Sequence, residues 1–492
     1  MTLGMSKRFV IVVSVLLSAL YSCAERTEPD NDRLSLAELE EPLAATRPWA
    51  RWWWPGGDVE PEQLERELTA IAAAGFGGVE VQAFDAALDP NLGAEVSDRI
   101  HGVRSERFGA AITATMRRAA ELGIEVDLTV GSGWPVGGSQ VEAQDASTSL
   151  MWWERSVVGP MELDVEPVPI PTLFFTVAQV AEASFGEPLG RFLPDLAEPV
   201  SAYAARVIEG SRDPSPLVLD DTVVLDPETV VDLSDRWVNG RLQWTVPTGR
   251  WHVVAIFSGP AGDYLTLTAE QGDPFAADHL DEAVIRASAD SWFADSESWG
   301  EAWRGIFTDS LEFKVDRLYT DDFLAEFERR RGYPLAEGIL AVLSQSADSF
   351  LLDAGRVQIA PDLQVSEDDE GIRWDYRQTV SELFVERFVG GLEGWADERG
   401  ALLRAQSYGI DVDVLAAAGA AHIPEVETLY AGGSRLFLKI ASSAAHLNGR
   451  DRASSEAFSF ILRDHMTTPL KVRAVADLQL VSGVTELVFH GV

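Results

Sequence analysis

Apolar residues along this chain come in short runs that alternate with stretches of helical period, the rhythm of a parallel α/β protein. Ala50-Arg51-Trp52-Trp53-Trp54 reads as a buried strand closed by Pro55-Gly56-Gly57. Asp58 and Pro61 then open a helix over Glu62 to Ala74, with Leu64, Leu68, Ile71 and Ala72 on one stripe. Gly75, Gly77 and Gly78 end it, and Val79 to Phe84 is the next strand. A second helix, Phe108 to Leu122, passes through Gly123 into the strand Ile124 to Val130 and the loop Gly131-Ser132-Gly133-Trp134-Pro135.

The rhythm then breaks. Residues 157–259 are rich in Val, Pro and Asp, with short alternating runs such as Trp251 to Phe257 and turn residues such as Asn239-Gly240. They predict an inserted antiparallel β module. Helix–strand alternation resumes afterwards, with helices expected near Ala277 to Phe293, Arg373 to Ala396 and Pro469 to Val481. Strands centred on Trp52, Val81, Val126, Phe307, Arg404, Ile423, Ser454 and Val488 predict a closed (β/α)8 barrel of the TIM type. The expected division is a signal peptide over 1–23, a tether over 24–43, barrel over 44–156, module over 157–259 and barrel over 260–492. No eighth helix follows His490, so the barrel is expected to stop after its eighth strand, without carboxyl-terminal modules.

Composition changes the picture in three ways. Hydrophobic content of 46% over 492 residues and fifteen Trp describe a folded chain with a large core, and exposed Trp rings suit the apolar faces of sugars. A net charge of −40 with only four Lys (Lys7, Lys314, Lys439, Lys471) excludes general affinity for nucleic acid and argues against adsorption to anionic membranes. Lys7-Arg8 before the apolar run Phe9 to Leu20 has the layout of an export signal. Cys23, the only cysteine, sits where a bacterial lipoprotein would be cut and acylated, and excludes an intramolecular disulfide. The expected location is therefore outside the cytoplasm, on an outer membrane, with membrane contact only through that lipid.

The candidate chemistry lies at strand ends. Gly305-Ile306-Phe307-Thr308 delivers Asp309-Ser310-Leu311-Glu312, and Arg452-Ala453-Ser454-Ser455 delivers Glu456. Carboxyl ends of barrel strands are where catalytic groups gather. Two acids facing one cleft are the minimum equipment for cleaving a glycosidic bond. A single Glu among 79 acidic residues is ordinarily a solvated surface group, but one that closes an apolar strand is less easily dismissed. Seven scattered His without an H-E-x-x-H arrangement give no zinc site, and the glycine-rich turns lack the context of a nucleotide loop.

Taken in order, Arg47 to Trp54, Gly75 to Glu80, Gly131 to Pro135, Asp309 to Glu312, Phe327 to Tyr333, Ile423-Pro424-Glu425, Ser455 to Phe458 and Phe489-His490-Gly491 resemble glycoside hydrolase family 106. The resemblance implies an inverting α-L-rhamnosidase, with calcium at the substrate site and a longer chain than this one. By the resemblance and by strand order, Glu312 is the general acid and Glu456 the general base, although the two roles could be exchanged. Inversion asks for carboxyls about 6.5–9.5 Å apart, and Asp309 would supply the negative charge that keeps an acid protonated. Asp309, Glu425 and Glu427 are candidate calcium ligands, since a hard cation prefers oxygen; pairing of these acids with Arg404 or with sugar hydroxyls is the alternative. Trp52, Trp53, Trp134, Asp309, Arg404, Gln406, His446 and His490 are candidate substrate contacts. Two other readings remain: a barrel glycosidase for another sugar, and a glycan-binding surface lipoprotein with little or no turnover.

Overall fold

The computed structural model describes residues 42, 46–85, 93–171, 173–176, 190–191, 193–209, 223–344, 356–359, 363–366, 368–429, 433–460 and 466–491. The expected signal peptide, Cys23 and nearly all of the tether lie outside them. Eight parallel strands close a barrel: β1 (Trp49–Pro55), β2 (Gly78–Phe84), β3 (Glu125–Thr129), β4 (Trp303–Thr308), β5 (Leu402–Ala405), β6 (Ile423–Glu427), β7 (Ser454–Ala457) and β8 (Glu486–Phe489). Pairing of Trp49 with Val488 and of Ala50 with Phe489 joins the last strand to the first. Each expected strand takes its place, and Arg47–Val492 is one compact unit.

Local signals explain the helices. Pro61 opens α1 (Pro61–Ala73), which buries Leu64, Leu68 and Ile71 against the barrel wall. The Ser105 hydroxyl accepts the Phe108 N–H at the start of α2 (Glu106–Leu122), and Gly123 in the left-handed region ends it. A cap of this kind contributes about 1 kcal/mol. Further round the barrel, α3 (Glu282–Trp292) precedes β4, and α4 (Asp369–Leu383) continues through a π-helical turn, Phe384–Val389, towards β5. Then α5 (Arg435–Asn448) and α6 (Pro469–Val481) precede β7 and β8. Among the described residues no helix is long and apolar enough to cross a membrane.

Strand alternation sorts the tryptophans of β1. Trp52 and Trp54 face outward: the Trp52 indole N–H donates to Glu67 of α1 at 3.0 Å, and Trp54 meets Phe108 of α2 edge-on. Arg51 and Trp53 face inward. On β4, a register shift between Trp303 and Gly305 breaks the alternation and brings Arg304 to the same interior as Phe307 and Asp309.

The inserted sheet is built on two long antiparallel strands, Thr148–Val165 and Arg241–Pro260, flanked by Glu198–Glu209 and Val223–Leu225. It begins at Thr148, ahead of the turn-rich stretch that suggested it. It also takes strands from the β4–β5 connection, Leu318–Tyr319 beside Thr148 and Ser149, and Leu363–Gln364 beside Val223 and Val224. The module is therefore joined to the segment that follows Glu312.

Candidate active site

The barrel interior is a stack of ion pairs. Nearest the amino-terminal ends of the strands, Arg304 pairs with Asp127 and, at 2.8 Å, with Glu486, its guanidinium 3.5 Å over the Trp49 ring. Above it, Arg404 bonds Asp127 at 3.1 Å and grips Glu80 and Glu425, while Arg51 stands 2.7 Å from Glu80. Both guanidinia lie over Phe307, that of Arg404 at 4.1 Å and that of Arg51 at 5.1 Å. Towards the carboxyl-terminal mouth, Arg51 Nη1 reaches Asp309 at 3.1 Å and Glu456 at 3.0 Å. The Gln406 amide N–H donates to Glu425 at 3.0 Å and to Glu456 at 2.8 Å, and His490 Nε2 lies 3.2 Å from the other Glu456 oxygen.

Counting charges shows what this stack does. Three arginines (Arg51, Arg304, Arg404) face seven carboxyls (Glu80, Asp127, Asp309, Glu425, Glu427, Glu456, Glu486), so anionic charge is in excess. The excess collects at the mouth. Low in the barrel Asp127 is held below the usual carboxylate range, the two arginines beside it outweighing the cost of burial. At the mouth, burial pushes Asp309 up to about 7; Arg51 opposes this, while Glu456 and Glu312 add to it. Glu456 is also raised by burial, against Arg51. Glu427 is raised well above its ordinary range by burial and by Glu456, Asp309 and Glu312, with the Tyr408 hydroxyl bond opposing. Burial and the nearby Arg51 push His490 down to about 4, so the ring is neutral near pH 7. Burial and mutual repulsion thus shift Asp309, Glu427 and Glu456 at the mouth towards their protonated forms.

The expected site residues separate into groups. Asp309, Gln406, Glu427, Glu456 and His490 come together at the mouth. Half-buried Glu312 joins them through the loop after β4, its charge felt by both Asp309 and Glu427. Trp53 roofs them: its indole N–H donates to the His490 carbonyl at 2.6 Å, and its ring packs on Phe84. Trp134 is partly buried in the loop after β3, tied by its backbone to Thr266. Arg404 and Glu425, each 1% exposed, belong to the ion-pair stack below, where Glu425 also accepts the Ser454 hydroxyl at 2.6 Å. Two candidates do not reach the site. Trp52 points into the helix layer, and His446 is exposed in the last turn of α5.

Arg51, Glu80 and Asp127 are the residues that sequence reasoning missed. Their signal was present as charged residues at inward positions of buried strands, Arg51 among three Trp and Glu80 between two Val. An ion inside an apolar strand persists only where it is paired.

For the expected calcium, the donor chemistry fits in part. Asp309 and Glu427 offer carboxylate oxygen where cationic charge is short, whereas Glu425 is taken by Arg404, Gln406 and Ser454. Among the described residues no three such side chains already stand arranged around a metal position, so ligand oxygens would have to complete the shell.

Comparison with known proteins bears on the fold and the family. A protein of Formosa agariphila named "Putative beta-glucuronidase" is 22% identical over 459 residues, 91% of this chain and 36% of the relative. The solved structure of a rhamnosidase from Novosphingobium sp. PP1Y shares the fold, with a TM-score of 0.61 at 16% identity, over 93% of this chain and 56% of that one. The chain thus spans about a third of the length of the first and just over half of the second. The glycoside hydrolase family 106 model, described as alpha-L-rhamnosidase, matches residues 40–184 and 201–492. With that match over most of its length, the chain belongs to glycoside hydrolase family 106.

Proposed function

We propose that this chain is the catalytic barrel of an inverting glycosidase acting on α-L-rhamnosides, with Glu312 as general acid and Glu456 as general base. The observation that carries the reading is the surplus of carboxyls at the mouth, gathered around one arginine. Glu456 is held by the Gln406 amide, Arg51 and His490, a carboxyl with both oxygens oriented and thus suited to taking a proton from water. Glu312 lies on the loop after β4, close enough for its charge to act on Asp309 and Glu427, and in this reading it meets the departing oxygen.

The charge balance also bears on the sugar. A glucuronide would bring one more carboxylate into a mouth where Arg51 is already shared by Glu80, Asp309 and Glu456. A rhamnoside is neutral and adds none. Asp309 and Glu427 would hold a calcium ion, which when bound supplies a cation to orient neighbouring sugar hydroxyls. Export and lipidation at Cys23 complete the reading and place the enzyme on extracellular or periplasmic glycans. The test is hydrolysis of aryl α-L-rhamnoside beside aryl β-D-glucuronide, with the first-formed anomer followed by NMR. Turnover of the rhamnoside alone, with inverted product, is expected; glucuronide preference or retention would overturn the reading.

A second reading has one observation in its favour. Burial, with Glu456, Asp309 and Glu312 beside it, raises Glu427 well above its ordinary range, which suits a general acid. Glu427→Gln and Glu312→Gln separate the two: the one that removes the acid shows the larger difference between unactivated and activated substrates.

A further inference from the structure

Glu312 stands in the connection that leaves β4, which has no regular structure before Leu318. Two devices fix this segment. On one side, the Leu311 N–H donates to the Tyr408 carbonyl at 2.8 Å, and Gly409 packs closely behind it. On the other side is Lys314, a charged residue only 5% exposed. Its ammonium donates to the Tyr264 carbonyl and lies 3.7 Å from Asp263 Oδ1. The second Asp263 oxygen accepts the Lys314 backbone N–H at 2.9 Å, and the carboxyl also accepts from Val315 N–H. Asp263 is 3% exposed and stands after Ala261 and Gly262, just past the end of the long module strand Arg241–Pro260.

Such a pair is an expensive way to hold a loop. Desolvating both partners largely cancels their attraction, and an apolar pair of similar volume would stabilise the fold as well or better. What the pair adds is direction: one carboxyl reads two successive backbone N–H groups and one ammonium, which sets both the register and the rotation of the chain beside Glu312. Packing alone leaves such a loop freer to slide, and a shift of about 1 Å in a catalytic group costs about a hundredfold in rate.

We infer that Lys314 and Asp263 are positioning residues that hold the Glu312 carboxyl where it protonates the leaving oxygen. The inserted module, through Asp263, thereby sets the place of the acid. This inference rests on the reading of Glu312 as general acid.

The experiment uses two aryl α-L-rhamnosides on the full chain, one with a dinitrophenyl leaving group that departs with little proton assistance and one with an unactivated phenyl group. In Lys314→Met and Asp263→Asn, kcat on the unactivated substrate is expected to fall about a hundredfold. On the dinitrophenyl substrate it should fall only a few-fold, with KM little changed on both. Lys314→Arg, which keeps charge and donors, should restore much of the loss and serves if the Met variant does not fold. Equal losses on both substrates, or none, would overturn the inference. Glu312→Gln is measured in parallel. If it shows the leaving-group difference and the other variants do not, the positioning role alone fails; if it shows none, the acid assignment fails and the inference with it.

Discussion

Arg51 and Glu456 meet at 3.0 Å inside the barrel, both almost fully buried. That contact joins the ion-pair stack below to the carboxyl cluster above, since the same guanidinium also reaches Glu80 and Asp309. Burial works against its charge, yet Asp309, Glu456, Glu80 and Glu425 together hold it well above its usual range. Replacing it leaves buried anions without their cation. Arg51→Met should lose about 3–5 kcal/mol of stability and essentially all turnover, whereas Arg51→Lys keeps the charge but not the fork and should retain the fold better than the activity. Urea unfolding midpoints and kcat on an aryl rhamnoside check both.

Gly409 has φ +119°, and a Cβ there would stand 2.3 Å from the Leu311 carbonyl oxygen. Gly409→Ala must therefore push Leu311, and with it Glu312, out of place. A strained residue of this kind costs about 1–3 kcal/mol, and the rate should fall by more than tenfold. Gly400, with φ +65° and open space around its Cβ position, is the control: Gly400→Ala should cost stability through its backbone conformation and leave kcat nearly unchanged.

The physics of each signal decides how much of the molecule was legible in its sequence. All eight barrel strands could be read because a short apolar run between two helical stretches is what a strand buried on both faces requires. The acids at the ends of β4 and β7 were visible for the same reason. The stack beneath them was not, because Arg51, Glu80 and Asp127 acquire meaning only when strands distant in sequence are rolled into one interior. Arg404 illustrates the limit: its type suggested a substrate contact, and pairing with Glu425 was the alternative that the structure shows, whereas its contacts with Glu80 and Asp127 could not be read before the barrel closed. The inward turn of Arg304 depends on a single bulge, which no alternation rule foresees.

Burial pushes Asp278 up to about 7, with Asp281 and Asp321 adding to it and the bonds from Leu280 and Thr320 opposing. A carboxyl raised on folding gives its full contribution below its ordinary value of about 4, and loses it as pH rises through about 7. Asp278→Asn removes that titration while keeping an acceptor for the Leu280 N–H. The variant should match the wild type near pH 4 and become more stable than it by pH 8, by an amount on the order of a few kcal/mol. Denaturation midpoints across that range measure the difference; a constant gap would contradict it.

If calcium bridges Asp309, Glu427 and the sugar, a chelator should abolish rhamnoside hydrolysis, and added calcium should restore it. Asp309→Asn should raise the calcium needed for half-maximal activity by about tenfold or more, since each charged ligand lost weakens a hard-cation site. Titration of activity against free calcium checks this, and activity indifferent to chelation would remove the metal.

In the proposed reaction, carboxyls collected at the mouth hydrolyse a neutral sugar, with Glu456 drawing the proton from water. Turnover of an aryl α-L-rhamnoside by Glu456→Gln, set against the wild type, tests it most directly. A fall of about a thousandfold in kcat with an unchanged unfolding midpoint is the predicted result; a variant that hydrolyses at the wild-type rate would contradict the account.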